Sequence, residues 1–403
     1  MKRSGKGKRV VITGLGPVSP IGIGRDAFFQ ALKAGVNGTA PLSKVDTERF
    51  EKKYGCEVKG SIDKLIPEFS SFASSGIPSH FALAATELAL NDAGIDRAAI
   101  AGKRVNCYFG TTYGESNLID GMVTALPDVE SSFLMSLPQT FASEISRDVL
   151  RSIGSSGEAV TIGNACSASN AALIFGFEAI QAGDCELAIC GGSDAVYKAT
   201  FATFHRLGSM TDKDCTPFNS GRKGVLTSEG GSALVLEDYD RAMRRGAHVY
   251  AEILGFSMNC DADHMVRLNH HSVGDCMKAA LESASVTPAE VGYICAHGTG
   301  TIANDNNEYK AIEAVFGHSP PPVSSIKSMM GHSMGAAAGF GAIACMLALS
   351  EGLPPTINIS QQDPELPIDV VAEGFRVGKV DVVVNNAFAF GGNNSILVFG
   401  NHK

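Results

Sequence analysis

No two of the ten cysteines stand in a C-x-x-C pair, and no regular spacing links them. That pattern excludes a zinc ribbon and a disulfide framework, and points to a reducing, cytoplasmic setting. Apolar runs of membrane-spanning length are missing too, so no membrane partner is expected. There is no stripe of Lys and Arg with interleaved aromatics, and the net charge is −9, which argues against nucleic-acid binding. The basic start, "MKRSGKGKR", has no apolar stretch behind it of the kind a signal peptide carries and reads as a solvated terminus. "VVITGLGPVSPIG" reads as a buried strand ending in a Gly-rich turn, but Pro17, Val18 and Ser19 follow Gly16 where a dinucleotide fingerprint needs its third glycine.

The remaining composition is that of a globular enzyme, with 44% hydrophobic and 19% charged residues. At 403 residues the chain accommodates two domains or one duplicated one. Strand-then-turn patterns recur in "VNCYFGTTYGES", "CELAICGGSDA" and "GGSALVLEDYDRAMRRGA"; "SHFALAATELALNDAGI" predicts a helix, and 126–150 is read as partly helical. Two stretches share one outline: "VTIGNACSASNAALIFGFEAIQAGD" and "VSSIKSMMGHSMGAAAGFGAIACMLALSEG". Each is an apolar strand, a turn with a reactive side chain, and a small-residue helix. Cys166 marks the first turn and His332 the second, which suggests two halves, 1–250 and 251–403, meeting across a pseudo-twofold.

A thiol at a helix start feels the positive end of the helix dipole and free backbone N–H groups. Cys166 is therefore expected to have a lowered pKa and oxyanion donors nearby. His297 follows the strand-like "VGYICA", at the strand end where α/β sheets present active residues. A buried Cys or a structural His is common, but three such residues in matching turn contexts point to chemistry. Adjacent His270 and His271 have no carboxylate at ligand spacing, and no metal is expected.

"NACSAS", "HGTGT", "SIKSMMGH" with "GAAAG", and "FAFGGNN" together resemble the elongating β-ketoacyl-acyl carrier protein synthases of the thiolase superfamily. The resemblance runs from about Arg9 to Phe399 and is strengthened by "VVITGLGPVSPIG" and "CTPFNSGRKG". It implies an α/β thiolase-like fold, a duplicated αβαβα layering, and a Cys-His-His site. It further implies an acyl-Cys166 intermediate and an oxyanion hole from the N–H groups of Cys166 and Phe390, with Phe390 also the gate and Gly391 and Gly392 its flexible flank. His297 and His332 suit the decarboxylation step, since neutral imidazoles can donate Nε2–H to a developing enolate. Lys327 matches the family's active-site lysine, expected to orient His332 with Glu308 as acidic partner. Thr299 and Thr301 match hydroxyls that bind the pantetheine arm. The implied chemistry requires no organic cofactor, and the partners are acyl- and malonyl-loaded carrier protein and a second subunit, identical or a chain-length-factor homologue.

Several positions depart from the family. Asn219 replaces an acidic residue, Lys223 and Val225 stand in the following block, and Ala389 and Asn393 stand where Gly and Thr are common. Tyr113 falls near the acyl tunnel and is expected to shorten it or cap it with a polar end, favouring short, unsaturated or unusual acyl chains. No basic cluster precedes the helix near residue 80, which leaves Arg206, Lys213, Arg222 and Lys223 as candidates for docking an acidic carrier. The departures favour a specialised polyketide or polyene role over housekeeping fatty-acid elongation. The competing reading is a non-catalytic chain-length subunit, which would lack the nucleophile; a degradative thiolase would need a second cysteine near the C-terminus, and "NNAFAFGG" has none.

Overall fold

The computed structural model describes residues 7–124 and 137–402. Residues 1–6 of the basic start and 126–136 of the segment read as partly helical lie outside the described residues. The main sheet contains β1 (Val10–Ser19), β2 (Asn106–Thr111), β3 (Ala159–Gly163), β4 (Leu187–Asp194) and β5 (Gly230–Asp238). It continues through β6 (Ala251–Cys260), β7 (Tyr293–Cys295), β8 (Val323–Ser324), β9 (Val382–Phe388) and β10 (Asn393–Gly400). The strand order is β8-β7-β9-β10-β6-β1-β5-β4-β2-β3.

That order repeats. From one edge inward, β3, β2 and β4 run parallel, and β5 and β1 follow antiparallel. From the other edge, β8, β7 and β9 run parallel, with β10 and β6 antiparallel. The equivalent strands β1 and β6 meet antiparallel at the centre, through Val11 with Glu252 and Ile12 with Ala251, as a twofold relation requires.

Side chains alternate across each strand, and the alternation sorts the core into layers. Cys107 and Phe109 pack outward against α1 (Ile77–Asp92) and α2 (Glu144–Ser152). Tyr108 between them faces inward, toward α3 (Ala168–Ala182). In the other half Ile294 packs outward against α4 (His270–Ala284) and α5 (Ile302–Phe316), while Tyr293 and Cys295 face α6 (Ala337–Ser350). Helix α6 is buried on every side except at Ser350, which its unbroken apolar sequence requires of a central-layer helix. The result is five layers, α-β-α-β-α.

Gly14 and Gly16 lie within β1, where a turn was expected. The reason is close approach by the small-residue face of α1. A Cβ on Gly14 would sit 2.2 Å from the Ala89 carbonyl oxygen, and one on Gly16 1.9 Å from that of Ala85. These glycines serve helix packing, not a phosphate.

Candidate active site

In both halves the parallel strands deliver loops at their C-terminal ends. Strand β3 ends at Gly163, and a 3₁₀ turn over Ala165–Ser167 leads into α3, placing Cys166 at its centre. Ala165 is held at φ 45°, a left-handed conformation that residues with side chains seldom adopt. The same turn recurs at Met334–Ala336 before α6, with Met334 at φ 49°. Matching the two turns pairs Cys166 with Gly335, so His332 lies three residues before the position equivalent to the cysteine. The expected repeat exists, but the thiol and this imidazole are not equivalent within it.

Cys166, His297 and His332 line one cavity of about 230 Å³, together with Phe390, Thr299 and Thr301. The two imidazoles meet edge-on, with ring centroids 5.5 Å apart, and His297 packs 5.4 Å from Phe388. The backbone of His332 is fixed on both sides: its N–H donates to Leu226 O at 2.7 Å, and its carbonyl accepts from Ser228 N–H at 3.1 Å. Its ring Nδ1 accepts the Met334 N–H at 3.1 Å. An accepting Nδ1 carries no proton, so the neutral ring presents Nε2–H as a donor.

His297 is fixed through its backbone. Its N–H and that of Gly298 donate to the two Glu308 oxygens, each at 2.8 Å, and its carbonyl accepts Lys327 Nζ at 2.5 Å. Gly298 has no room for a side chain, since a Cβ there would lie 2.5 Å from that of Ser325. Lys327 thus bonds the His297 carbonyl directly, and its charge also bears on His332, the ring it was expected to orient. Glu308, the expected acidic partner, attracts the Lys327 charge, and it also clamps the 297–298 amides and accepts Asn386 Nδ2 at 3.1 Å. Asn386 and Ser325, whose hydroxyl donates to Gly298 O at 2.7 Å, escaped the sequence reading. The signal for Asn386 was a polar Asn-Asn pair inside an apolar strand.

Burial dominates the electrostatics. It drives both imidazoles well below the ordinary histidine range, with the Lys327 charge adding to the effect, and it lowers Lys327 itself. The Cys166 thiol was expected to be lowered; burial instead pushes it up to about 12. The nearby Lys327 charge and the N–H groups of Phe390 and Cys166, which face the sulfur, pull in the other direction without prevailing. Because both rings are neutral across the working range, a rate that depends on their N–H donors should change by less than about 1.5-fold between about pH 7.5 and about pH 6.5. A rate that halves by pH 6.5 would reveal an imidazole of ordinary pKa.

Thr299 and Thr301 place their hydroxyls 3.0 Å apart on the cavity wall, and Thr301 also caps α5 by accepting Asn304 N–H at 3.1 Å. Gly391 and Gly392 do not line the cavity; they have φ of 83° and 78° and shape the turn that carries Phe390. Tyr113 also lies off the cavity wall, edge-on to Tyr197 at 5.9 Å. Arg222 cannot dock a carrier: it is buried, bonded to Asp363 at 2.6 Å and to Asn306, with Asp305 at 3.5 Å. Arg222→Met should destabilise the fold by about 3–5 kcal/mol in denaturant unfolding, because it strands the buried Asp305 carboxylate. Unchanged stability would contradict that role.

Residues 7–242 match the family model described as "Beta-ketoacyl synthase, N-terminal domain", and 250–360 match its C-terminal counterpart. Among curated proteins, the chain is 33% identical to 3-oxoacyl-[acyl-carrier-protein] synthase 2 of Synechocystis sp., over 98% of this chain and 99% of that protein. It is 32% identical to the tetracenomycin polyketide synthase ketoacyl synthase alpha subunit of Streptomyces glaucescens, over 98% of each. Among solved structures, the ishigamide ketosynthase/chain length factor superposes with a TM-score of 0.94 at 38% identity, over 98% of this chain and 100% of that one.

Proposed function

The chain belongs to the β-ketoacyl synthase family, and from that premise we propose which residues carry its reaction. It is an acyltransferase, a 3-oxoacyl-acyl carrier protein synthase of fatty-acid or polyketide elongation. The observation that carries the assignment is the convergence of Cys166, His297 and His332 on one cavity, with His332 held as an Nε2–H donor.

In the first step the Cys166 sulfur bonds to the acyl carbonyl carbon and the carrier thioester breaks, the thiol proton leaving with the pantetheine sulfur. In the second, the malonyl thioester loses carbon dioxide. The electron pair of the broken C–C bond moves into a thioester enolate, whose oxygen accepts hydrogen bonds from the two imidazoles. The enolate carbon then attacks the acyl-Cys166 carbonyl. The resulting oxyanion lies against the Cys166 and Phe390 N–H groups, and collapse breaks the acyl C–S bond, releasing the 3-oxoacyl thioester and a Cys166 thiolate that takes up a proton from solvent. Thr299 and Thr301 are placed to bind the pantetheine arm, Lys327 and Glu308 hold His297, and Phe390 is the gate.

The partners we propose are the acyl- and malonyl-loaded carrier proteins and a second chain of the same fold. Among the described residues the outer edge of strand β3 has no partner strand, and Val160, Phe175 and Met258 are exposed near it, which supports a subunit continuing the sheet there. A solved acyl carrier protein–ketosynthase complex, 28% identical at a TM-score of 0.89, supports carrier docking. The 38% identity to the ishigamide ketosynthase/chain length factor supports a specialised pathway. Ten free thiols favour the cytoplasm. The division into halves at 250/251 remains our reading of the repeated strand order.

The test is to mix the enzyme with acyl- and malonyl-carrier protein and follow both the 3-oxoacyl product and acylation at Cys166 by mass spectrometry. A chain that forms no acyl-Cys166 and shows no preferred cysteine for iodoacetamide would be a non-catalytic subunit instead.

A further inference from the structure

Resting on the reading of His332 as an enolate donor, we propose that Asp194 is the positioning residue that holds this imidazole in its donor tautomer, acting through the Met334–Gly335 turn. Asp194 ends β4 and is fully buried. One carboxylate oxygen accepts the Thr111 hydroxyl at 2.8 Å and the Tyr113 N–H at 3.2 Å. The other accepts the Thr112 N–H at 2.9 Å and the Gly335 N–H at 2.6 Å. An ionised carboxylate is acceptor-only and can take all four.

The last of these bonds crosses between the halves. It ties a strand end of the first half to the turn of the second half that contains Met334. Met334 occupies left-handed backbone at φ 49°, a conformation that persists only when its surroundings impose it. Its N–H is the group bonded to His332 Nδ1. Release Gly335, and this turn can relax and withdraw the Met334 N–H. Nδ1 could then take the ring proton, and Nε2–H would be lost from part of the population. Gly335 admits nothing bulkier: a Cβ there would stand 2.6 Å from Thr111 Cα and 2.7 Å from the Asp194 oxygen.

Among the described residues no cation lies within ion-pair distance of Asp194, so its charge is met by N–H and O–H dipoles. Burial, partly offset by those donors, pushes the carboxyl up to about 6, leaving it mostly ionised at neutral pH. Its negative charge acts on Cys166 in the direction of raising the thiol. Removing the charge should therefore not slow alkylation of Cys166, whereas general damage to the site would disturb both activities.

The experiment is Asp194→Ala in the full chain. Asparagine would not serve, since its NH₂ can face the Thr111 hydroxyl, which can reverse to accept it, while its oxygen stays on the Gly335 N–H; alanine removes the acceptor altogether. Malonyl-carrier decarboxylation should fall at least about tenfold in kcat with KM little changed, while iodoacetamide labelling of Cys166 is unchanged or faster. Nitrogen-15 histidine NMR should show His332 moving from the Nε2–H form to a mixture. Labelling that falls in step with decarboxylation, or a decarboxylation rate that does not fall, overturns the proposal. Should Asp194→Ala not fold, Thr111→Val removes one donor and should give the same split in milder form; equal losses or none would count against it. Should His332→Ala leave decarboxylation intact, the underlying assignment of His332 fails. Loss in His332→Ala with no effect of Asp194→Ala sinks only the positioning role.

Discussion

A Cys166→Ala protein is expected to lose condensation by at least about 10⁴-fold while still decarboxylating the malonyl thioester. Condensation needs a covalent acyl acceptor, and the other cysteines near the site cannot substitute. Cys215 and Cys295 are buried outside the cavity wall. Decarboxylation needs only the enolate donors, and neither His297 nor His332 depends on the thiol for its placement: one is set by Glu308 and Lys327, the other by Leu226, Ser228 and Met334. Carbon dioxide release and 3-oxoacyl product, assayed in parallel, separate the two steps. A protein that still condensed, or that lost both reactions equally, would contradict the division of labour.

Removing either imidazole should cost decarboxylation about 10²–10³-fold, the usual loss for one oxyanion donor in a site shielded from water. His297→Ala and His332→Ala are expected to leave acylation of Cys166 within about threefold of the parent, since the ring donors act after that step. The double variant should lose less than the product of the two, because the rings meet edge-on at 5.5 Å and serve one developing charge. Each variant is best read by single-turnover acylation beside malonyl decarboxylation. A His332→Ala protein that decarboxylates normally but acylates slowly would reassign that ring to the thiol's proton. The raised thiol makes this alternative worth measuring, since a mostly protonated Cys166 must shed its proton during acylation.

The architecture and the chemical groups of the site were readable from the chain because each has a local signature. Apolar runs ending in Gly, Ser and Thr turns marked the strand ends at 163, 295 and 324, and the repeated strand-turn-helix outline marked the duplication. Cys166, His297 and His332 stood out because a reactive side chain in such a turn is uncommon. Other features depended on distant contacts and had no local signature. Arg222 reads as a surface cation until its partners, Asp305 and Asp363, are seen to enclose it. Lys327 is five residues from His332, yet its amine reaches His297, thirty residues away in sequence. Gly14 and Gly16 read as a turn because nothing local discloses the helix packed against them.

The residue chemistry was thus determined by the linear chain: a sulfur nucleophile, two imidazoles, a lysine, and small residues where backbones approach. Folding decided how those groups behave. Burial reversed the expected direction for the thiol and kept both rings neutral, and the Met334 N–H on Nδ1 set which nitrogen of His332 bears the proton. The physical reason is that acidity and tautomer respond to desolvation and to partners a few ångströms away, and those are known only once strands remote in sequence have been brought side by side.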